Sequence, residues 1–381
     1  MTKYKKILIT GGAGFIGSHL VNRLYAEGYD ITVLDNLSTQ IHGKDAMQSP
    51  LVKSIDGKAN LVVGDVCNAE DWKKVLPSAE IVVHLAAETG TGQSMYQIGR
   101  YNEVNCTGTA FLLDYLTNEK HGIKKVVVAS SRAIYGEGKY YSSALKQYVY
   151  PQARKVEDME KGDFAVKCPK TNTDVVCCAT DEDSNIQPNS IYGLTKYYQE
   201  RAIMISCSAM NIPCVALRYQ NVYGPGQSLS NPYTGILSIF STRLLDNKPI
   251  NIFEDGTESR DFVYIEDVIT ATLLAIEQEE ANYKEFNVGT GVATDVLTVA
   301  HTLARIYDSH AEISISGQFR KGDIRHNYAD LSKINQTLGF TPSVSFEEGI
   351  LQFCHWVLKQ ENRQDLYEQS LQEMKAKGLM K

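Results

Sequence analysis

The sequence predicts an α/β fold, a doubly wound parallel sheet with a smaller C-terminal α/β lobe, and three observations carry that expectation. Short runs rich in Val, Ile and Leu recur through the first 220 residues with helical patterns between them, the alternation that builds a parallel sheet covered on both faces. A glycine-rich turn joins the first of these runs to the first helical pattern. From residue 221 onward the alternation gives way to longer Gly-, Pro- and Arg-bearing loops, and 381 residues exceed what one hydrophobic core usually organises. The expected division is therefore 1–220, with an insertion at 137–188, and 221–381.

The composition is that of an ordinary globular protein, 43% hydrophobic and 22% charged. A net charge of −7 with no basic block argues against nucleic acid as a partner. Met1-Thr2-Lys3-Tyr4-Lys5-Lys6 is followed by only Ile7-Leu8-Ile9 before glycines intervene, too short for a signal-peptide core. No stretch reaches membrane-span length, so no membrane association and a cytoplasmic location are expected. The eight cysteines are scattered, as suits buried apolar thiols in a reducing compartment.

Residues 6–10 form the first β-rich run, and Gly11-Gly12-Ala13-Gly14-Phe15-Ile16-Gly17 leads into a helix over 18–24. Gly11, Gly14 and Gly17 let the chain turn tightly, approach a pyrophosphate and pack helix on strand, with Phe15 and Ile16 between them also expected at the cofactor. A second run, 31–34, ends at Asp35. An acid at this spacing accepts hydrogen bonds from a ribose diol and repels a 2′-phosphate. Asn36-Leu37-Ser38 supplies no arginine for such a phosphate, so the expected cofactor is NAD in a Rossmann-type domain.

Further strands are expected at 60–63, 81–85 and 125–129, with a helix over 105–116. Ligands of such sheets lie beyond the carboxyl ends of the strands, which directs attention to Gly64-Asp65-Val66, Leu85-Ala86-Ala87-Glu88-Thr89 and Ser130-Ser131. A hydroxyl at Ser131 can hydrogen-bond a substrate oxygen and share a proton with a base. The insertion at 137–188 carries Cys168, Cys177 and Cys178 but neither a Cys-x-x-Cys pair nor a histidine. No metal is expected there; the segment reads as a lid or interaction surface.

Ser190-Ile191-Tyr192-Gly193-Leu194-Thr195-Lys196 opens the next helix. Four residues apart, Tyr192 and Lys196 share one face, where the ammonium favours the ionised phenol and makes Tyr192 a base. A strand over 215–221 follows, then an amphipathic helix at 236–245. Arg260, Arg320 and Arg325 sit in loops beside glycine and aspartate, where guanidinium forks suit a diphosphate. A polar helix is expected over 365–380, packing through Leu366, Leu371 and Met374.

Gly11 to Gly17, Asp35, Gly64-Asp65, His84-Leu85-Ala86-Ala87, Asn105 with Thr109, Ser131 with Tyr135-Gly136, Tyr192 with Lys196, and Arg260-Asp261-Phe262 form an ordered set. It resembles the extended short-chain dehydrogenase/reductase family of nucleotide-sugar enzymes, over nearly the whole chain. Gly92-Gln93-Ser94-Met95-Tyr96, the run 218–227, the loop 230–235 and Lys377-Gly378-Leu379 are similar to its nucleotide-sugar 4-epimerases of the dTDP-L-rhamnose 4-epimerase type. The resemblance implies Ser131, Tyr192 and Lys196 as catalytic residues. It implies Asp65 and Val66 at the adenine, with Asn36, Ser38, Leu85, Ala86, Ala87 and Asn105 along the cofactor. The sugar nucleotide falls to Thr89, Gln93, Ser94, Asn221, Tyr233 and Gly235, with Arg260, Arg320 and Arg325 on the diphosphate. Relatives in that branch carry a cysteine-rich insertion resembling a zinc ribbon; here Thr171 stands where a partner of Cys168 is expected. Relatives commonly form homodimers through the helix bearing the Tyr-x-x-x-Lys.

Within the family, 4,6-dehydratases place Asp-Glu just after the catalytic hydroxyl residue, where this chain has Arg132-Ala133. The expected reaction is therefore NAD-dependent epimerisation at C4 through a transient 4-keto sugar with internal hydride return. The alternatives are a nucleotide-sugar 4-reductase or dehydrogenase, or a 4,6-dehydratase of the same family; a binding protein or a scaffold built on the insertion stands further off.

Overall fold

The structure is a computed structural model that describes residues 4–231, 233, 235–360 and 365–381. The first three residues, Pro232 and Thr234 of the loop quoted above lie outside the described residues.

The centre is a seven-stranded parallel sheet. Its strands in chain order are β1 (Lys6–Thr10), β2 (Asp30–Asp35), β3 (Asn60–Val63), β4 (Ile81–His84), β5 (Lys125–Ser131), β6 (Cys214–Tyr219) and β7 (Lys284–Val288). In space they run β7-β6-β5-β4-β1-β2-β3. The order reverses beside β1, so the ends of β1 and β4 open a crevice, the switch point where such sheets bind ligands. Aliphatic residues alternate between two cores. Ile7, Ile9, Val33, Val83, Val127 and Leu217 face one side. Leu8, Leu34, Val82, Val126, Val128 and Ala216 face the other. A period of two with both faces apolar is what a sheet covered on each side requires.

Helix α1 (Phe15–Ala26) buries Leu20, Val21 and Leu24 against the first face, joined by α5 (Ile265–Glu277) through Val268, Ala271 and Ala275. On the second face lie α2 (Gly108–Asn118), with Leu112 and Leu116, and α3 (Ile191–Ala209), with Ile203 and Cys207. A π-helical turn, Asn102–Thr107, precedes α2 where a continuous helix from 105 was expected. Helix α3 runs to Ala209, and its N-cap Ser190 accepts from the Gly193 N–H at 3.1 Å. Helix α4 (Ile236–Leu245) falls where the amphipathic pattern placed it.

The second half is not separate from the first in space. Strand β7 comes from beyond residue 221, and it closes the edge of the sheet against β6. Short pairings serve the second lobe: Asn221–Tyr223 with Phe262–Tyr264, and Ser259–Arg260 with both Thr294–Asp295 and His326–Asn327. Helix α6 (Tyr367–Ala376) packs through Leu371 and Met374; Tyr96 and Tyr233 both donate to its Glu373.

The insertion is a small antiparallel sheet, Tyr140–Ser142 between Gln147–Val149 and Val176–Cys177. Cys168 is buried against Tyr140, Val149 and Val166. Among the described residues no group of three or more His, Cys, Asp or Glu side chains is placed to hold a metal. Among the same residues no helix is long and apolar enough to cross a membrane.

Candidate active site

A cavity of about 580 Å³ runs from the glycine loop, past the ends of β4 and β5, to the loops of the second lobe. Its walls follow from local chemistry at each end.

At the first end, Gly11 adopts φ +69°, and a Cβ there would lie 2.9 Å from the Ala86 nitrogen. A Cβ on Gly17 would lie 2.2 Å from the Gly11 carbonyl oxygen. Only glycine permits this turn and this approach of α1 to the loop. Asp35 accepts from the backbone N–H of Ala13 at 3.0 Å and of Leu37 at 2.9 Å, one on each oxygen. The carboxylate is thereby fixed on the cavity wall with lone pairs left for a diol. Gly14, Phe15, Ile16, Asn36, Ser38, Val66, Leu85, Ala86 and Ala87 line this part as well. These features fit NAD: glycines a side chain would block, and a positioned acid with no basic residue in Asn36-Leu37-Ser38. Asp65, between the lining residues Gly64 and Val66, does not itself line the cavity; its carboxylate accepts from Asn36 Nδ2 at 3.1 Å.

In the middle, Ser131 ends β5, and its Oγ accepts from the Ala133 N–H at 3.1 Å while hydrogen-bonding Tyr192. Tyr192 and Lys196 line the same wall from the first turns of α3. Burial pushes the phenol up, whereas the bond to Ser131 and the charge of Arg132 pull it down. Burial also lowers Lys196 to about 7 against the pull of Glu200. Its ammonium donates to Gln199 Oε1 at 2.6 Å. Gln199 Nε2 in turn donates to Thr109 Oγ1 at 2.9 Å. His84 contacts Thr10 Oγ1 at 2.8 Å and Thr109 Oγ1 at 3.0 Å. Burial, then the charge of Lys196, drops His84 to about 3, so it stays a neutral strut beneath the site.

At the far end, Arg132, Arg260 and Arg320 line the cavity with Asn221, Tyr233 and Gly235. Arg260 is fixed by the carbonyls of Ser259, Arg325 and Ile324 at 2.8, 3.0 and 2.8 Å. Arg320 lies over the Phe253 ring and pairs with Asp323 at 2.9 Å, and its buried Nε has no hydrogen-bond partner among the described residues. Burial raises the Asp323 carboxyl, but Arg320, Arg260, Arg154 and Arg132 outweigh it and hold it at about 2. Arg154 is committed to Glu254, while Arg132, Arg260 and Arg320 present guanidinium groups to the cavity beside Asp323 and Glu258, an arrangement that suits an anion with two phosphates.

Several expected residues are not brought to the cavity. Arg325 gives its guanidinium to Glu254 at 2.8 Å, to both oxygens of Asp255 at 2.7 and 2.6 Å, and to Thr257 at 2.6 Å. Its donors are committed to neighbouring acids, so it supports the arginine loop instead of facing a ligand. Gln93 and Ser94 are buried behind the wall that Thr89, Thr91, Gly92 and Met95 form. Gln93 Oε1 accepts from Tyr101 at 3.3 Å, and Ser94 donates to the Thr91 carbonyl at 2.6 Å. Asn105, fully buried, donates to Thr195 at 2.9 Å and accepts from the Glu88 N–H at 2.8 Å, pinning the loop after β4 to α3.

Other residues of the site went unread in the sequence. Arg132 was noted only for the acid it replaces, yet it lines the cavity and donates from Nε to Asn221 Oδ1 at 2.6 Å. Gln199 and Thr195 carry no signal beyond their spacing from Lys196 on one helix. Arg154 of the insertion forks onto Glu254, Nη1 to Oε2 at 2.6 Å and Nη2 to Oε1 at 2.8 Å.

Comparison with known proteins points the same way. Residues 7–154 and 173–289 match the NAD dependent epimerase/dehydratase family. The chain is 39% identical to dTDP-L-rhamnose 4-epimerase of Burkholderia thailandensis, over 95% of this chain and 97% of that protein. It is similar to the crystal structure of UDP-glucose 4-epimerase from Thermotoga maritima with UDP-glucose, at 31% identity and a TM-score of 0.74, covering 93% of this chain and 98% of that one. A mutant UDP-glucuronic acid 4-epimerase from Bacillus cereus, solved with UDP-4-deoxy-4-fluoro-glucuronic acid and NAD, matches at 26% identity and a TM-score of 0.75, covering 93% and 99%.

Proposed function

The chain belongs to the NAD dependent epimerase/dehydratase family, and from that premise we propose how its cavity inverts C4 of a nucleoside-diphosphate sugar. The activity is that of an NAD-dependent nucleotide-sugar 4-epimerase, an isomerase; the reductase, dehydrogenase and 4,6-dehydratase alternatives are not favoured. One observation carries the assignment of residues: Ser131, Tyr192 and Lys196 stand on the wall of a single cavity that has the glycine loop at one end and Arg260 and Arg320 at the other.

Gly11, Gly14, Gly17 and Asp35 would hold the dinucleotide, with Val66 and Asp65 toward its adenine. When bound, NAD supplies a reversible hydride acceptor for C4. Tyr192 as phenolate takes the proton of the C4 hydroxyl, and Ser131 orients that oxygen through the hydroxyl it shares with Tyr192. Lys196 adds positive charge beneath the phenol. Arg260 and Arg320 hold the diphosphate while the 4-keto sugar turns, and Tyr192 returns the proton once the opposite face is presented. Thr89, Asn221, Tyr233 and Gly235 contact the nucleotide and sugar, while Gln93, Ser94, Asn105 and Arg325 act from behind the wall. Ala133 stands where a dehydratase would need its second acid.

The remaining assignments rest on composition and exposure. We assign 1–220, with the insertion at 137–188, to NAD binding and 221–381 to the nucleotide sugar, β7 being the segment that returns. Along α3, Leu194, Tyr198 and Ile205 are 52%, 42% and 59% exposed, an apolar stripe that a second copy of the chain would cover as a homodimer. Eight free cysteines suit the cytoplasm.

The test is a panel of dTDP-, UDP-, GDP- and CDP-sugars incubated with the enzyme in heavy water and followed by NMR. Inversion at C4 with no deuterium entering C3 or C5 is expected; deuterium at either carbon excludes the C4 route. Tyr192→Phe should lose roughly a hundredfold to ten-thousandfold in kcat, the usual worth of a placed proton-transfer group, with NAD affinity retained.

A further inference from the structure

Inversion at C4 sets a requirement that the wall bearing Tyr192 cannot meet. Between the two hydride transfers the 4-keto sugar has to leave that wall and turn, and its diphosphate and the closure of the cavity then keep it on the enzyme. The closure is built around one carboxylate. Glu373 Oε2, on α6, accepts from the Tyr96 hydroxyl at 3.1 Å and from the Tyr233 hydroxyl at 2.5 Å. Tyr96 belongs to the segment after β4 whose Thr91, Gly92 and Met95 line the cavity, and Tyr233 lines it from the second lobe. We propose that Glu373 is a positioning residue for the 4-keto intermediate, the acceptor that holds these two tyrosines, and with them the two sides of the cavity, onto α6 while the sugar turns.

This inference rests on the 4-epimerase reading above. The rest of the C-terminal segment makes the same junction. Met374, next in the helix, lines the cavity, and a Cβ on Gly92 would lie 3.3 Å from its sulfur. Tyr367 and Leu379 line the cavity as well. Beyond α6 the backbone pairs with the segment of Arg320: the Phe319 N–H donates to the Lys381 carbonyl at 2.9 Å, the Lys321 N–H to the Leu379 carbonyl at 2.9 Å, and the Lys381 N–H back to the Phe319 carbonyl at 3.0 Å. Arg243 secures the start of the helix, pairing with Asp365 at 3.3 Å and Glu368 at 3.0 Å. Residues 367–381 thus span the substrate end, from the loop after β4 to an arginine of the diphosphate site.

Glu373 is the point where this span meets both sides. Its two tyrosine donors share one oxygen, and Gln369 Nε2 donates to the other, Oε1, at 3.5 Å. The bond from Tyr233, joined by that from Tyr96, outweighs burial and holds the carboxyl below the usual carboxylate range. Burial pushes both phenols up, so they stay neutral donors. Hydrogen bonds from neutral donors to an ionised acceptor are the strong kind, and here two of them converge from segments that no local sequence joins.

The measurement is the partition of the intermediate between inversion and escape, on a sugar nucleotide found active in the panel. A 4-keto sugar nucleotide that escapes leaves the hydride taken from C4 on the cofactor, so each escape yields one bound NADH. The NADH is read by its near-ultraviolet absorbance, and the ketone is trapped in solution with borodeuteride and identified by mass. Escape per inversion should rise at least about tenfold in Glu373→Leu, the effect of losing a hydrogen bond to a charged group. Tyr233→Phe should shift the partition in the same direction, and Glu373→Leu combined with Tyr233→Phe should be no worse than Glu373→Leu alone. Glu373→Gln, which keeps an acceptor oxygen, should recover most of the retention. If Glu373→Leu raises KM or lowers the denaturation midpoint while escape per inversion stays at the wild-type value, the residue is structural only and the proposal falls. Should Glu373→Leu not fold, the variant carrying both Tyr96→Phe and Tyr233→Phe decides: raised escape supports the proposal and wild-type escape overturns it. A wild-type enzyme that reduces NAD stoichiometrically without inverting C4 would instead overturn the epimerase reading.

Discussion

The two ends of the cavity are built on different physics. The cofactor end uses backbone: glycines that admit no side chain, a helix N-terminus and one carboxylate fixed by two amide hydrogens. The substrate end uses buried charge brought together from three distant segments. Glu137 and Arg154 come from the insertion, Glu254 and Arg260 from one loop of the second lobe, and Asp323 and Arg325 from another. Arg154 also donates to the Asp323 carbonyl at 3.1 Å, and Phe164 of the insertion packs on Phe319. The insertion is thus a strut for the arginine loop more than a lid over it. A site made of backbone fails by steric clash, whereas one made of buried ions fails when a partner is removed.

The largest effect should come from Arg154→Met. Its side chain is only 4% exposed, and it satisfies Glu254 and approaches Glu137 at 3.4 Å. Removing one partner of a buried pair costs about 3–5 kcal/mol. The loss should fall on nucleotide-sugar binding and on the denaturation midpoint, with NAD affinity nearly unchanged; equal loss of both ligands would erase the distinction between the ends. The penalty should also depend on pH. Burial raises Glu137 from 4.5 to about 7 even with Arg154 beside it. For an acid whose folded pKa is raised, the folded state binds the extra proton between those values. Its stabilising contribution is therefore full below about 4.5 and is lost as pH rises through about 7. Without Arg154 the charged form is disfavoured further, so the variant should be worse relative to wild type at pH 8 than at pH 6. Urea denaturation at the two values measures this.

Gly17→Ala probes the other end. Its Cβ would meet the Gly11 oxygen at 2.2 Å and Gly12 Cα at 2.6 Å, both backbone atoms of the loop. Overpacking of this kind costs about 1–3 kcal/mol. Here α1 must back away from the loop, so calorimetry should show NAD affinity falling at least about tenfold, roughly 1.4 kcal/mol. The pH dependence seen with Arg154→Met should be absent.

The same contrast explains what was legible in the chain. Apolar runs, glycine spacing, Asp35 and Tyr192 with Lys196 are local signals, so β1 to β6, the loop and the cavity wall could be read directly. Strand β7 was missed because Lys284-Glu285-Phe286-Asn287-Val288 buries only Phe286, Asn287 and Val288 at a sheet edge. Its charged start conceals the run. Arg325 was read as a diphosphate ligand because a loop arginine beside glycine carries no mark of the acids that will neutralise it. Glu254 and Asp255 lie some seventy residues upstream. Arg154 and Arg132 were unread for the same reason: the worth of a buried charge is set by partners remote in sequence. Gln93, Ser94 and Asn105 were placed in the right region but one layer too close to the ligand, since sequence spacing does not separate a wall from what stands behind it.

The smallest effect sharpens where Tyr192 belongs. Ser190 caps α3 with extended backbone, φ −143° and ψ 157°, and its Oγ holds the Gly193 N–H. Ser190→Ala should cost about 1 kcal/mol, little beside the 19-residue helix and the core it packs on. Tyr192, however, sits in the first turn that the cap secures, so fraying there misplaces the phenol from Ser131 while Lys196, a turn deeper, stays anchored to Gln199. kcat should therefore fall severalfold with KM for the sugar nucleotide and NAD affinity both held, and Ser190→Thr should restore it. That outcome places Tyr192 with the backbone-built end of the cavity. A rise in KM of the size produced by Arg154→Met would place it with the charge-built end instead.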